Sequence, residues 1–205
     1  MTGLFISFEG IDGVGKSTQA DLLESWLKDQ GKTVVRTLEP GGTEVGVEIR
    51  KILLHHRGDL APRAEAALFA ADRAHHVASK IRPALERGEI VITDRYFDSS
   101  VAYQGAGREL SQKEVRDLSL WAVGGLLPDL TVLLDLPAGV ARNRRDGSGT
   151  EPDRLESEKL EFFERARAAY LELAKAEPER FLVVDAAASI EEMQALIVNR
   201  VAGLI

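Results

Sequence analysis

The chain has 205 residues, 44% of them hydrophobic and 29% charged, with a formal net charge of -7. That is enough chain for a single domain with a full core, and its composition is that of an ordinary globular protein. The acidic balance argues against a nucleic-acid groove, the lack of cysteine excludes disulfides and thiolate metal sites, and no apolar run approaches a membrane span. A soluble cytoplasmic protein without nucleic-acid or membrane partners is expected.

In chain order, residues 4–8 are a short apolar run suited to a buried strand, and 17–30 pattern as an amphipathic helix. Between them, Gly10-Ile11-Asp12-Gly13-Val14-Gly15-Lys16-Ser17 matches G-x-x-x-x-G-K-[ST] without a mismatch. A strand, a glycine turn and a helix together make a phosphate cradle, because backbone N–H groups converge on an anion at the positive end of the helix. Lys16 can reach terminal phosphates, the Ser17 hydroxyl can ligate Mg²⁺, and Thr18 follows in the helix's first turn. A nucleoside triphosphate site is predicted here.

A second strand is predicted over 33–38, closed by the turn Glu39-Pro40-Gly41-Gly42, and a helix over 45–54 with Val45, Ile49, Ile52 and Leu53 on one face. A longer helix over 62–82 starts at Pro62, and Pro83 threatens to kink or break it. Residues 89–93 read as a third strand leading into Asp94-Arg95-Tyr96, and Ser111-Gln112-Lys113-Glu114 as a capping box. A fourth strand is expected over 130–135. The Arg-rich stretch 142–154 then reads as a mobile loop, with Gly147 and Gly149 as hinge candidates. A helix over 155–176, a strand over 181–185 and a final helix capped at Ser189 complete the chain. Apolar strands alternating with helices predict an α/β fold: a three-layer αβα arrangement around a five-stranded parallel sheet. The whole chain reads as one domain with a lid at about 142–154.

Ligands of such sheets lie beyond the carboxyl ends of the strands. Asp94 is placed as the acidic strand end that approaches Mg²⁺, and Arg95 beside it offers a fork for a phosphate; Asp135 is a third polar strand end. The turn Glu39-Pro40-Gly41-Gly42-Thr43 suits close backbone approach to a ligand, though it reads equally as a surface turn. Phe69 and Arg73 share a helix face and suit a stacked planar base; spacing alone favours a core Phe beside a solvated Arg. Arg142, Arg144, Arg145 and Arg154 read either as a solvated loop or as a lid over transferring phosphates. His55, His56, His75 and His76 are sequence neighbours without metal-ligand spacing.

These pieces in this order resemble the bacterial thymidylate kinases over nearly the whole length. The resemblance is carried by Phe8-Glu9-Gly10, Glu39-Pro40-Gly41-Gly42-Thr43, Leu68-Phe69-Ala70-Ala71-Asp72-Arg73, and Asp94-Arg95-Tyr96 followed by Ser99-Ser100-Val101-Ala102-Tyr103-Gln104-Gly105. Pro128-Asp129-Leu130, Leu134-Asp135-Leu136-Pro137 and Asp153-Arg154-Leu155-Glu156 add to it. It implies a P-loop nucleoside monophosphate kinase that transfers the γ-phosphoryl group of ATP, with Mg²⁺, to dTMP. Another nucleotide or deoxynucleoside kinase, or a nucleotide-dependent switch ATPase, is the alternative.

By that resemblance Phe69 stacks on thymine and Arg73 donates to its carbonyl. Ser99, Ser100 and Gln104 lie near the base, and Tyr103 packs on the deoxyribose. Glu39 and Pro40 border the dTMP site, Arg95 holds the monophosphate, and Asp12 lies on the sugar or phosphate side. Lys16 bridges donor and acceptor phosphates, and Ser17 and Asp94 face the metal. Leu38 stands where the family often has Arg, and Val14 leaves the phosphate loop without an arginine. Both departures point to the lid arginines Arg142, Arg145 and Arg154. A homodimer is also implied.

Overall fold

A computed structural model describes residues 3–56, 58–147 and 152–205. Strands β1 (Leu4–Glu9), β2 (Val34–Leu38), β3 (Ile90–Asp94), β4 (Leu130–Asp135) and β5 (Phe181–Asp185) form one sheet in the order β2-β3-β1-β4-β5. Every pairing is parallel. Side chains alternate between two apolar layers, which is why these strands read as continuous hydrophobic runs. Phe5 and Val91 face a cluster with Val77, Ile81 and Tyr96, whereas Ile6, Phe8 and Ile92 face Leu23, Leu27 and Ile197. Each such fully buried side chain contributes roughly 1.5–3 kcal/mol.

Asp94 lies opposite both Phe8 and Leu38, so three strands end level. The chain passes from β1 to β2 on one side of the sheet and from β3 to β4 on the other. That reversal opens a crevice at the carboxyl end of β1.

The helices are α1 (Lys16–Asp29), α2 (Glu44–His55), α3 (Pro62–His76), α4 (Arg82–Glu86), α5 (Phe97–Ser100), α6 (Gln112–Ala122), α7 (Ala138–Asp146), α8 (Leu160–Ala176) and α9 (Ile190–Ala202). The expected helix over 62–82 is instead α3, a π-helical turn Val77–Ile81, and α4. Pro83 breaks nothing, because it enters the first turn of the new α-helical segment, where a missing N–H removes no bond.

The arginine-rich stretch is also corrected. Residues 138–146 are helical, placing Arg142, Arg144 and Arg145 on α7 rather than in a loop. Only Ala138 and Ala141 of this helix are buried, and two small residues leave too thin an apolar stripe to show as periodicity. Gly149 lies outside the described residues. The long helix starts at Leu160 rather than 155. Before it, Asp153 Oδ1 accepts from the N–H groups of Leu155 (2.8 Å) and Glu156 (2.9 Å) and closes a turn.

A further helical stretch has no counterpart in the sequence pattern: α5 followed by a π-helical turn Val101–Gly107. Tertiary packing forms it. A Cβ at Gly107 would lie 2.6 Å from the Phe162 ring, so glycine lets α8 press close. The two capping boxes differ. Ser189 and Glu192 close theirs in both directions, while Ser111 Oγ accepts from the Glu114 N–H at 3.3 Å and the Glu114 carboxylate turns to Arg63.

Candidate active site

Between β1 and α1 the chain turns through Gly13 and Gly15, at φ +87° and +95°. A Cβ at Gly13 would meet the Ala141 carbonyl at 2.3 Å, so this loop packs against α7 only as glycine. Ile11 and Val14 are buried and anchor the loop in the core. No side chain caps α1 at Gly15, leaving first-turn N–H groups for an anion. Lys16 is buried, and its Nζ donates to the carbonyls of Gly10 (3.2 Å) and Ile11 (3.1 Å). Burial, followed by the neighbouring Arg95 charge, pulls its ammonium below the ordinary lysine value.

Ser17 Oγ donates to Asp94 Oδ2 at 2.9 Å. A hydroxyl and one carboxylate with room for water and phosphate oxygens is a hard-oxygen donor set of the kind Mg²⁺ takes. Gly13, Gly15, Lys16, Ser17, Thr18 and Asp94 line one cavity of about 810 Å³.

A second cavity adjoins it, with about 630 Å³ of space including its mouth open to solvent. Asp12, Glu39, Pro40, Phe69, Arg73, Arg95, Ser99, Ser100, Tyr103 and Gln104 all line it. The structure therefore brings together every residue that the resemblance places around the acceptor. Asp12, Glu39, Arg50, Arg95 and Glu156 line both cavities.

Arg95 sits just past β3 at φ +70°, a conformation that costs a non-glycine residue energy and clusters at working sites. Its Nη1 donates to Gly10 O (3.0 Å), Ser99 Oγ (3.1 Å) and Tyr170 OH (3.3 Å), and its Nη2 to Asp12 and to Tyr103 OH (3.1 Å). Burial alone would raise the Asp12 carboxyl, but the Arg95 and Lys16 charges outweigh it and hold it at about 2. The Tyr103 hydroxyl, pushed up by burial, stays protonated and donates to Asp12 at 3.1 Å. Phe69 joins the main apolar cluster while bordering the cavity, so its ring serves both. Arg73 is fully buried, with Nε on Glu39 (2.7 Å) and Nη2 on Ser100 Oγ (3.2 Å). Glu39 also binds His76 Nδ1 at 2.8 Å, and the Glu39–Pro40 bond is cis.

Three residues were given no role by the sequence reading. Arg50 of α2 donates to the Pro40 carbonyl at 2.7 Å, and its stem packs on Gly41. No local motif marks it. It stands at the meeting of the cavities, where Leu38 supplies no cation. Glu9 is buried and accepts from the Tyr96 N–H (2.7 Å), Ser99 Oγ (2.6 Å) and Tyr170 OH (2.9 Å). Burial and the Asp98 charge push it up to about 7. A lone carboxylate closing an apolar strand was its one signal. Glu65 is the third, buried in α3.

The arginines of 142–154 separate. Arg145 packs beside Gly13, with its guanidinium 5.7 Å from the Phe163 ring centre. Arg142 is exposed and faces Asp146 at 3.8 Å, and Arg144 donates to Ala186 O. Arg154 lines neither cavity and is bound to Glu65 (2.6 Å) and Leu53 O (2.7 Å). Asp135 pairs with Arg167 and lines neither cavity.

A parallel sheet with a glycine phosphate loop at its switch point and a second pocket across a shared arginine defines a P-loop nucleoside monophosphate kinase fold. A family model described as thymidylate kinase matches residues 8–197. The chain belongs to the thymidylate kinase family. It is 65% identical over 205 residues to the thymidylate kinase of Clavibacter michiganensis subsp. michiganensis, covering 100% of this chain and 97% of the relative. It is 67% identical over 201 residues to that of Leifsonia xyli subsp. xyli, covering 98% and 95%. To that of Desulfovibrio desulfuricans it is 49% identical over 197 residues, covering 93% and 91%.

Proposed function

We infer that the protein is a dTMP kinase, transferring the γ-phosphoryl group of ATP to dTMP to give dTDP and ADP for dTTP synthesis. The observation that carries this reading is the pair of contiguous cavities sharing Asp12 and Arg95. A phosphate on one side thereby faces a phosphate on the other.

The acceptor phosphate is already an anion, so the chemistry needs alignment and charge neutralisation rather than a strong base. Lys16 and the loop N–H groups hold the donor phosphates. Arg95, fixed by Asp12, Ser99 and Tyr170, presents its guanidinium to the acceptor phosphate, with Arg50 beside it. Ser17 and Asp94 would hold Mg²⁺, which when bound neutralises charge on the donor phosphates. Phe69 stacks on the base, Arg73, Ser100 and Gln104 meet its edge, and the Tyr103 ring packs on the sugar. Arg145, next to Gly13, is the arginine of the 142–154 segment best placed to act as a lid residue.

A homodimer finds support in apolar side chains left outward on two helices, Val47 and Ile52 of α2 and Trp121 of α6, the last 81% exposed. Among the described residues no helix is long and apolar enough to cross a membrane, and a cytoplasmic site suits these soluble substrates. Coupled ADP release across dTMP, dUMP, dCMP, GMP and thymidine tests the reading. Turnover that requires dTMP is expected. Preference for thymidine identifies a deoxynucleoside kinase, and ATP consumption without an acceptor identifies a switch ATPase.

A further inference from the structure

Behind the wall of the acceptor cavity, one turn before Phe69 on α3, Glu65 is completely buried. It accepts from Gln104 Nε2 at 2.9 Å, from Arg108 Nε and Nη2 at 3.1 Å each, and from Arg154 Nη2 at 2.6 Å. Burial alone would raise its pKa, but the hydrogen bonds from Arg108 and Gln104 and the arginine charges outweigh it and hold Glu65 below the ordinary glutamate value. It is therefore an ionised group that only accepts hydrogen bonds.

That has a consequence for its neighbour. A glutamine amide has an accepting end and a donating end that are nearly equal in shape, and its partners decide which faces where. Facing an acceptor-only carboxylate, Gln104 must turn its NH₂ inward. Its oxygen, which accepts no hydrogen bond among the described residues, is left for the cavity that Gln104 lines. Arg73, lining the same cavity and donating to Ser100 Oγ, supplies a donor. A rim with one donor and one acceptor complements thymine or uracil, which offers the O4 acceptor beside the N3–H donor. Cytosine offers the reverse, an amino donor beside the N3 lone pair.

We propose that Glu65 is a positioning residue for acceptor choice: it locks the Gln104 amide oxygen toward the cavity and so selects pyrimidines carrying an N3–H over cytosine. The proposal rests on reading this cavity as the nucleotide acceptor site. Arg108 and Arg154 balance the buried charge, which gives Arg154 a task away from the phosphates. Without them Glu65 would take up a proton, become a donor, and release the amide to turn.

Glu65→Gln removes the acceptor-only constraint. The expected result is a fall of about tenfold in kcat/KM for dTMP and dUMP together, an unchanged or higher value for dCMP, and an unchanged KM for ATP. The exchanged pair Glu65→Gln with Gln104→Glu puts the acceptor-only group at the cavity and restores the preference for dTMP. If all three acceptors fall by one common factor, or the dTMP-to-dCMP ratio stays within about twofold of the parent, Glu65 is merely structural. Should Glu65→Gln fail to fold, the parent protein decides by NMR of the Gln104 side-chain amide. Its protons are expected to be shielded from solvent exchange before dTMP is added. Shielding that arises only with dTMP would overturn the proposal. A parent protein inactive on dTMP would instead refute the acceptor-site reading, a different failure.

Discussion

Half of the residues lining the donor cavity come from one short segment, the turn from β1 into α1, whereas the acceptor cavity is assembled from side chains on six separate stretches of chain. The first offers N–H groups that any backbone carries, provided glycines allow the turn. The second offers particular side chains held by particular partners. Its walls are accordingly buried and hydrogen-bonded, Arg73 to Glu39, Gln104 to Glu65 and Arg95 to Asp12. The donor side keeps Gly15, Ser17 and Thr18 exposed. A main-chain site depends on local spacing; a side-chain site depends on the whole fold arriving in register.

The sharpest way to break this contrast is Lys16→Ala. The backbone cradle would survive, so ATP still binds, but kcat should fall by at least ~10²-fold when a preorganised charge is lost. Near-normal turnover in a coupled ADP assay would show the main chain sufficient and remove Lys16 from the mechanism.

On the acceptor side, Phe69→Ala should raise the KM for dTMP roughly tenfold while the KM for ATP holds, with a stability cost of about 3 kcal/mol for the vacated core volume. Equal rises in both KM values, or a protein that no longer melts cooperatively, would assign the ring to the core alone.

Smaller effects separate the two arginines. Arg145→Ala, beside the phosphate loop, should lower kcat about tenfold, and Arg154→Ala should leave kcat within about threefold while weakening dTMP selection. The reverse ranking would return Arg154 to the phosphates.

The mildest prediction concerns Asp72, beneath the turn at Gly41. Its Oδ2 is buried without a partner, and Oδ1 accepts from the Gly41 N–H at 3.1 Å. Burial, with the Glu39 charge, pushes its carboxyl up to about 6. The folded state thus holds a proton that the unfolded chain releases near 3.8. Stability from this group is present below that value and is lost as pH rises toward 6. Asp72→Asn should remove that loss and raise Tm at pH 7 by about 2–4 °C, on the order of 1 kcal/mol. At pH 4 the two proteins should melt together; a gain of equal size at both pH values would show that ionisation is irrelevant.

The sequence alone determined the five strands, most of the helices between them, the parallel sheet and the phosphate loop, because each rests on local periodicity or on glycine and lysine at set spacing. Resemblance then supplied the acceptor residues, which no spacing rule could have gathered from positions as distant as Asp12 and Gln104. Only the tertiary structure decided where the arginines went. Arg50 reached the junction of the cavities, Arg145 packed on the loop, and Arg154 was taken by Glu65. A guanidinium on a long flexible stem carries no local signal of its target; its partner is whichever carboxylate or carbonyl the folded chain brings within reach. The same holds for Glu9 and Glu65, whose acceptor roles exist only because surrounding layers shut out water and leave those hydrogen-bond donors no other place to turn.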